Sequence, residues 1–375
     1  MADFRHLLRL CDGVGVLEHA AGAEPLPEHG YCTDDVGRAL VVAAREPNPS
    51  GAVSGLAAVC VRYLAGADRG NGIFRNRKST SGRWQDDGAS DDASGRAVWG
   101  IGTAYARGGA SLRQAVGPLV ASGMRFRSPY PRATAVAVLG AFEVLLVDPT
   151  HVGARALIRD ALATLPRPDP AAAWPWPEPR LTYANALLPD ALTTAAWSLP
   201  DTATVGKGLA WLDSLLSTQR VDDHFSFTPT NGWYSGEPRP AFDQQPIEAA
   251  TTADACWRAW KFTGDERWAA EAARSIGWFR GVNDTEIALR VNATGGCTDG
   301  LTATGRNENQ GAESTISLIL ADQLAERLRG ALGATFGWEW LDGQAARSTP
   351  SSSLNKAASD TSHAPTARSA APYVR

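Results

Sequence analysis

Two kinds of helical segment alternate along this chain. Six are plain amphipathic or Ala-rich stretches, near residues 3–20, 53–66, 111–122, 151–164, 203–218 and 265–280. Their apolar residues recur at helical spacing, as with Leu7, Leu8 and Leu17 in the first and Leu209, Leu212, Leu215 and Leu216 in the fifth. The other six, near 33–45, 91–107, 131–146, 184–198, 246–262 and 312–329, are apolar all round after their first turn. A helix apolar on every side is buried on every side. The pattern predicts twelve helices, with strand signals few.

Loop lengths add direction. Connections from a buried helix to the next plain one are short, as at 108–109 and 263–264, whereas those running the other way are mostly long, as at 67–90, 165–181, 219–245 and 281–311. Long loops tend to carry function. Each buried helix also starts on a polar cluster: His29–Asp35, Ser90–Asp92, Ser128–Arg132, Leu181–Asn185, Asp243–Glu248 and Asn309–Glu313. One architecture satisfies all of this. It is an all-α (α/α)6 barrel in which six parallel inner helices are wrapped by six outer ones, and the long loops and polar starts share one face. A solenoid of helical hairpins would favour a more uniform repeat. The barrel is expected over 1–343, followed by a disordered Ser/Ala/Pro-rich tail over 344–375.

Composition removes several classes of function. The chain has 375 residues and a net charge of −4, so it has no basic field for nucleic acid. No apolar run reaches the ~18 residues of a membrane span. The five cysteines include no CxxC pair or Cys/His cluster, so a disulfide framework and a zinc site are not expected. Gly13-Val14-Gly15 is too short for a dinucleotide motif, and no phosphate-binding loop occurs, so no cofactor is expected. Free thiols and a charged N-terminal segment point to the cytoplasm.

The candidate chemistry lies at the inner-helix starts. Asp34 and Asp92 occupy matching positions in Asp-x-x-Gly-Arg-Ala patterns, each with an arginine at i+4, Arg38 and Arg96. Such a pairing, with the helix dipole, favours an ionised carboxylate, a base or a hydroxyl acceptor. The alternative is a helix cap with a structural ion pair. Glu248 and Glu313 have no cation within a turn and suit a general acid, or else satisfy backbone amides. In a six-fold ring Asp92 faces Glu248 and Arg132 faces Glu313. Carboxylates on opposite walls suit inverting glycoside cleavage, which needs roughly 6.5–9.5 Å between them.

Asp35, Asp91, Arg132, Trp176, Tyr183, Asn185, Trp233, Gln244, Gln245 and His29 are the candidate substrate-binding residues. The chain's 13 tryptophans offer faces for sugar rings, and packing of long loops accounts for them equally well. His29 and His224 are candidates for an epimerase.

The segments HGYCTDDVGRAL (29–40), WPEPRLTYANALLPDAL (176–192), FDQQPIEAATTADA (242–255) and NQGAEST (309–315) resemble the six-hairpin glycosidase superfamily. They are similar to a bacterial branch found beside or fused to glycosyltransferases. The resemblance spans roughly 5–330. It implies the (α/α)6 barrel, a carbohydrate substrate and a glycosyltransferase partner. Ala184 departs from it, since an acidic residue is expected there. The reading from the residues is an inverting glycoside hydrolase, with Asp92 or Asp34 as base and Glu248 or Glu313 as acid. Alternatives are a phosphorylase using Arg132 or Arg96, a sugar epimerase, and a non-catalytic sugar-binding partner of a glycosyltransferase.

Overall fold

The computed structural model describes residues 2–85, 90–169 and 172–333. The expected tail at 344–375 and the end of the barrel range, 334–343, lie outside them. Among the described residues there are twelve α-helices: α1 (Arg5–Leu10), α2 (Thr33–Arg45), α3 (Gly51–Ala67), α4 (Asp91–Arg107), α5 (Ala110–Gly123), α6 (Pro131–Val147), α7 (Val152–Thr164), α8 (Leu187–Ser198), α9 (Thr202–Gln219), α10 (Pro246–Thr263), α11 (Glu266–Gly277) and α12 (Ala312–Leu332).

The even-numbered helices form the inner ring. Each packs on the next, and α12 returns to α2 to close the circle. The helix after each packs outside it, and α1 lies against α12. The inner helices carry the core, as in α6, where 133–144 is buried without a break. This is the (α/α)6 barrel that the alternation of apolar and amphipathic segments predicts.

Four boundaries differ from expectation by three residues or more: α11 ends at Gly277 rather than 280, α12 ends at Leu332 rather than 329, and two others have a local cause. The first helix stops at Leu10 rather than near 20. Asp12 accepts the backbone N–H groups of Val14 and Gly15, at 2.8 and 3.0 Å, and turns the chain. The chain then runs extended, pairing Leu17 with Tyr31 and Ala20–Ala21 (β1) with Glu24–Pro25 (β2). The fourth inner helix starts at Leu187 rather than 184, because Ala184 sits at φ +47°, in the left-handed region. Four more antiparallel strand pairs of two or three residues stiffen the loops. In one, Tyr31–Cys32 (β3) pairs with Arg77–Lys78 (β4) and ties the 68–85 loop to the start of α2.

Glycines set the spacing of α2, α4 and α6. A Cβ on Gly37 would stand 2.6 Å from the carbonyl oxygen of Arg96, and one on Gly100 would stand 2.5 Å from that of Gly37. Gly102 and Gly140 meet in the same way between α4 and α6. These three helices touch backbone to backbone.

The inner helices meet in a buried ionic floor, built from the last residues of α2 and α4, the middle of α10 and α12 and the first turn of α8. Arg45 of α2 donates to Asp254 of α10 at 3.1 and 3.2 Å. Arg258 bridges Asp254, at 3.0 Å, and Asp190 of α8. Arg107 of α4 donates to Glu143 of α6 at 2.8 Å. Gln323 of α12 donates to the carbonyl of Val42 at 2.9 Å and to Glu46 at 3.1 Å. Arg45 also lies 3.9 Å from Glu143, which connects the α4–α6 pair to the rest and joins all six inner helices. Two guanidiniums hold the Asp254 carboxyl below its ordinary range, against the opposing effect of burial. Removing one partner strands the others as buried charges. Asp254→Ala should therefore lower the unfolding free energy by about 3–5 kcal/mol. Denaturant titration checks this, and a loss under about 1 kcal/mol, typical of an exposed pair, would refute it.

Candidate active site

The starts of α2, α4, α10 and α12 meet at a pocket of about 310 Å³. Asp34, Asp35 and Arg38 of α2 form one side, with Asp92 and Arg96 of α4 and with Tyr183 beside them. Glu313 and Ser314 of α12, Asp299 from the preceding loop, and Glu18 and His19 from the extended N-terminal segment form the other. Gln245, immediately before α10, completes the wall. Six of these side chains are carboxylates.

The charge pairing differs from the i+4 pattern. Arg38 keeps only a longer-range attraction to Asp34. It donates to Asp35 at 2.7 Å and lies 2.7 Å from Glu313 across the α2–α12 boundary. Arg96 crosses to α2, where its Nε is 3.6 Å from Asp34. The glycine contact between α2 and α4 makes this crossing possible. Asp92 instead accepts the phenol of Tyr183 at 2.7 Å. Glu313 was expected to lack a cation, and none lies within its own turn. A neighbouring helix supplies one, which sequence spacing along α12 does not reveal.

Asp35 is 3% exposed. Burial pushes its carboxyl up to about 6 against the pull of Arg38, and the Cys32 thiol donates to it at 3.1 Å. Burial also raises Asp299, which accepts the Gly311 N–H at 2.8 Å.

Glu248 behaves differently from expectation. It does not line the pocket, and it is 2% exposed. It accepts the backbone N–H groups of Ala184 and Asn185 and the Asn185 side-chain amide, at 3.3 and 3.2 Å for the two from Asn185. Burial raises its carboxyl to about 7, the direction expected, with the three N–H donors opposing. The carboxyl thus seals the turn before α8, and that turn carries Tyr183. Arg132 likewise does not reach towards Glu313. It binds Glu178, the Tyr183 carbonyl at 2.8 Å and Asn185 at 3.3 Å, and its guanidinium lies 5.4 Å from the centre of the Tyr183 ring.

Of the remaining candidates, Tyr183 and Gln245 reach the pocket and the others do not. Asn185 is fully buried under the turn. Gln244 is also buried, where it accepts from Phe227 N–H at 3.0 Å and the Trp278 indole at 2.9 Å and donates to Asp284 at 2.5 Å. Trp176 is buried, packs on Trp211 and donates to Glu178 at 3.2 Å. Trp233 meets Trp174 edge to face and donates to the Glu237 carbonyl at 3.1 Å. These loop indoles pack the loops. Asp91 is half-buried at the start of α4, and His29 is exposed, 4.8 Å from His19 between ring centres. His224 lines a separate cavity of about 170 Å³ with Asp284.

Sequence reasoning missed Glu18, His19 and Asp299. A helix drawn to residue 20 hid the first two; the turn residues Gly13 and Gly15 were the available signal. Asp299 sits in a long loop with no periodicity. Glu18, Cys32 and Asp35 bring one ligand-type atom each within 4.8 Å of one another. Arg77 and Arg38 already pair the two carboxylates, and burial raises the thiol well above its ordinary range. That environment opposes a cation.

No family model and no curated protein matches the sequence. The likeness is structural. A sugar epimerase from a ruminal bacterium superposes with a TM-score of 0.68 at 10% identity, covering 88% of this chain and 96% of that one. Cellobiose 2-epimerase from Bacillus thermoamylovorans gives 0.66 at 10% identity, over 87% and 95%. A GH76 α-mannanase from Bacteroides thetaiotaomicron gives 0.55 at 11%, over 80% and 88%. The chain therefore has the six-hairpin (α/α)6 fold. No helix of the described residues is long and apolar enough to cross a membrane.

Glu248 and Asp35 give a pH signature. Their folded-state values, about 7 and about 6, stand above the ordinary 4.5 and 3.8. The folded state thus holds protons that the unfolded chain releases, and the stability these groups contribute falls as pH rises from about 4 to 7. The protein should unfold at a lower temperature at pH 8 than at pH 5, with a shallower slope in Glu248→Gln. Calorimetry showing stability rising over that interval would contradict it.

Proposed function

We propose that this pocket cleaves a glycosidic bond with inversion of configuration. The observation that carries the reading is six carboxylates round one pocket, two of which burial raises. Asp299 and Asp35 are raised by burial, while Asp92 accepts a phenol and Asp34 lies beside Arg96. A carboxyl raised by burial, in one pocket with a carboxylate that still has an oxygen free, is what acid–base work at one bond requires. Asp92 is the base: the Tyr183 hydroxyl holds one carboxylate oxygen and leaves the other for water. Asp299, in the wall formed with α12, is the proton donor, in place of the sealed Glu248. Glu313, fixed by Arg38, and Asp34 orient the sugar hydroxyls. The structural likeness to sugar epimerases and a mannanase supports a carbohydrate substrate.

Phosphorolysis is less well supported. Arg132 is occupied by Glu178, and Arg96 lies between Asp34 and the Tyr183 ring. A second reading, epimerisation, is favoured by one observation, the presence of His19 in the pocket wall.

A panel of oligosaccharides, followed by NMR of the released anomer with and without phosphate, tests these readings. Asp92→Asn should lower kcat by about 10²–10⁴-fold. Tyr183→Phe should lower kcat by about tenfold with KM little changed, the mark of a positioning contact. Wild-type turnover retained in Asp92→Asn refutes the assignment. Interconversion of free sugars that is lost in His19→Asn would install the epimerase reading instead.

A further inference from the structure

We infer that this pocket takes the end of a sugar chain, so that the protein releases terminal residues and does not cut a chain internally. The inference rests on the reading of this pocket as a glycoside-cleaving site and names the kind of substrate it accepts.

Hydrogen bonds among the described residues close the rim of the pocket. On one side a strap is formed by the extended N-terminal segment. The Glu18 N–H donates to the Gly30 carbonyl at 3.2 Å, and the Glu18 carbonyl accepts the N–H of Ala312, at the start of α12, at 3.0 Å. The Glu18 carboxylate accepts from Arg77 at 3.0 Å. Gly22, at the tip of the β1–β2 hairpin, accepts the Gln310 N–H and donates to the Asn309 side chain, both at 3.0 Å. One stretch of chain therefore spans from the loop before α4 to the loop before α12. The first of these loops is held in turn by the β3–β4 pairing and by the Phe74 N–H, which donates to Ser94 of α4 at 3.0 Å.

The circuit continues round the other side. Tyr183 reaches from the turn before α8 to Asp92 of α4 and so spans the mouth over α6. Glu248 of α10 holds that turn from behind. Gln244, just before α10, pairs in both directions with Leu301, at 3.1 and 2.9 Å. The Asp299 N–H donates to the Asn309 carbonyl at 2.8 Å and returns the circuit to α12.

Internal cleavage of a chain needs two exits, one for each arm of the substrate. A rim stitched at these junctions offers a well instead, entered from above by one end. The strap meets α12 and its loop through its own backbone groups, so rotation of its side chains does not open it. The volume, about 310 Å³, stands at the small end of the range of roughly 300–1,000 Å³ for ligand sites, the scale of one or two sugar rings. The chemical step is that of the hydrolase reading. The glycosidic C–O bond breaks with its electron pair going to the leaving oxygen, which takes the Asp299 proton. Water adds its hydroxyl to the anomeric carbon and gives its other proton to Asp92.

The test follows the products formed by the full chain from cellohexaose, mannohexaose and chitohexaose, separated by chromatography. The first products should be the monosaccharide and the pentasaccharide. Di-, tri- and tetrasaccharides released together from the start overturn the inference. Binding gives a second readout that does not need turnover. In calorimetric titration of the wild-type protein, affinity should level off within about threefold from the disaccharide upward, and β-cyclodextrin, a chain without ends, should not bind. A gain of about tenfold from the trisaccharide to the hexasaccharide, binding of the cyclodextrin, or no binding of any linear sugar overturns it. Deleting residues 21–24 joins Ala20 to its cross-strand partner Pro25 and removes both Gly22 contacts. With folding checked by circular dichroism, this variant should add di- and trisaccharides to the first products. An unchanged pattern in the folded variant overturns the part given to the strap, and the wild-type readouts stand even if the variant misfolds. Internal cutting sinks this inference and leaves the hydrolase reading standing. Binding confined to chain ends, without cleavage, does the reverse.

Discussion

A ring of six helices has no sheet to hold its members in register, so its interior must do so. Here that task falls to the buried ionic floor. Arg45, Asp254, Arg258 and Asp190 tie α2 to α10 and α8, Arg107 and Glu143 tie α4 to α6, and Gln323 brings in α12. Charges at such depth stabilise only when every partner is present. The arrangement therefore specifies one closure of the ring. It also fixes the height of the helix starts, where the pocket forms.

Between floor and pocket runs a second connection. Glu248 on α10 grips the turn at Ala184 and Asn185, the adjacent Tyr183 reaches Asp92 on α4, and Arg132 on α6 clamps the same turn. Two inner helices thus position a carboxylate on a third through one short segment. Glu248 has the raised carboxyl expected of an acid while lying closed off from the pocket. A perturbed carboxyl marks a group under constraint, and access decides whether the constraint serves catalysis or architecture.

The fold was legible because its cause is periodic. Apolar-all-round and amphipathic segments alternate through the chain, and each boundary from Thr33 to Gln219 apart from α8 falls within about two residues of the pattern, the usual scatter of helix ends. The exceptions have local causes: Asp12 and its glycines end α1 early, and Ala184, with positive φ, delays α8. The site was legible in part. Asp34, Asp35, Asp92, Tyr183, Gln245 and Glu313 come together as the helix starts implied. Their pairings were not legible, because Arg38 and Arg96 choose partners across helix boundaries and those choices depend on interhelical distance. Gln244 and the loop tryptophans have the residue types of a sugar cleft and spend them on packing.

The glycine contacts along α2, α4 and α6 divide the ring into two mechanical regimes. Where Gly37, Gly100, Gly102 and Gly140 leave nothing between the helices, three staves of the barrel act as one plate that tolerates almost no added volume. The arc from α8 through α10 to α12 meets through full side chains and can absorb substitutions by repacking. Asp34 and Asp92 stand on the plate; Asp299 and Glu313 stand on or beside the adaptable arc. Evolutionary drift in this chain should therefore be uneven, with one wall of the pocket held still while the facing wall is free to be recut for a different sugar.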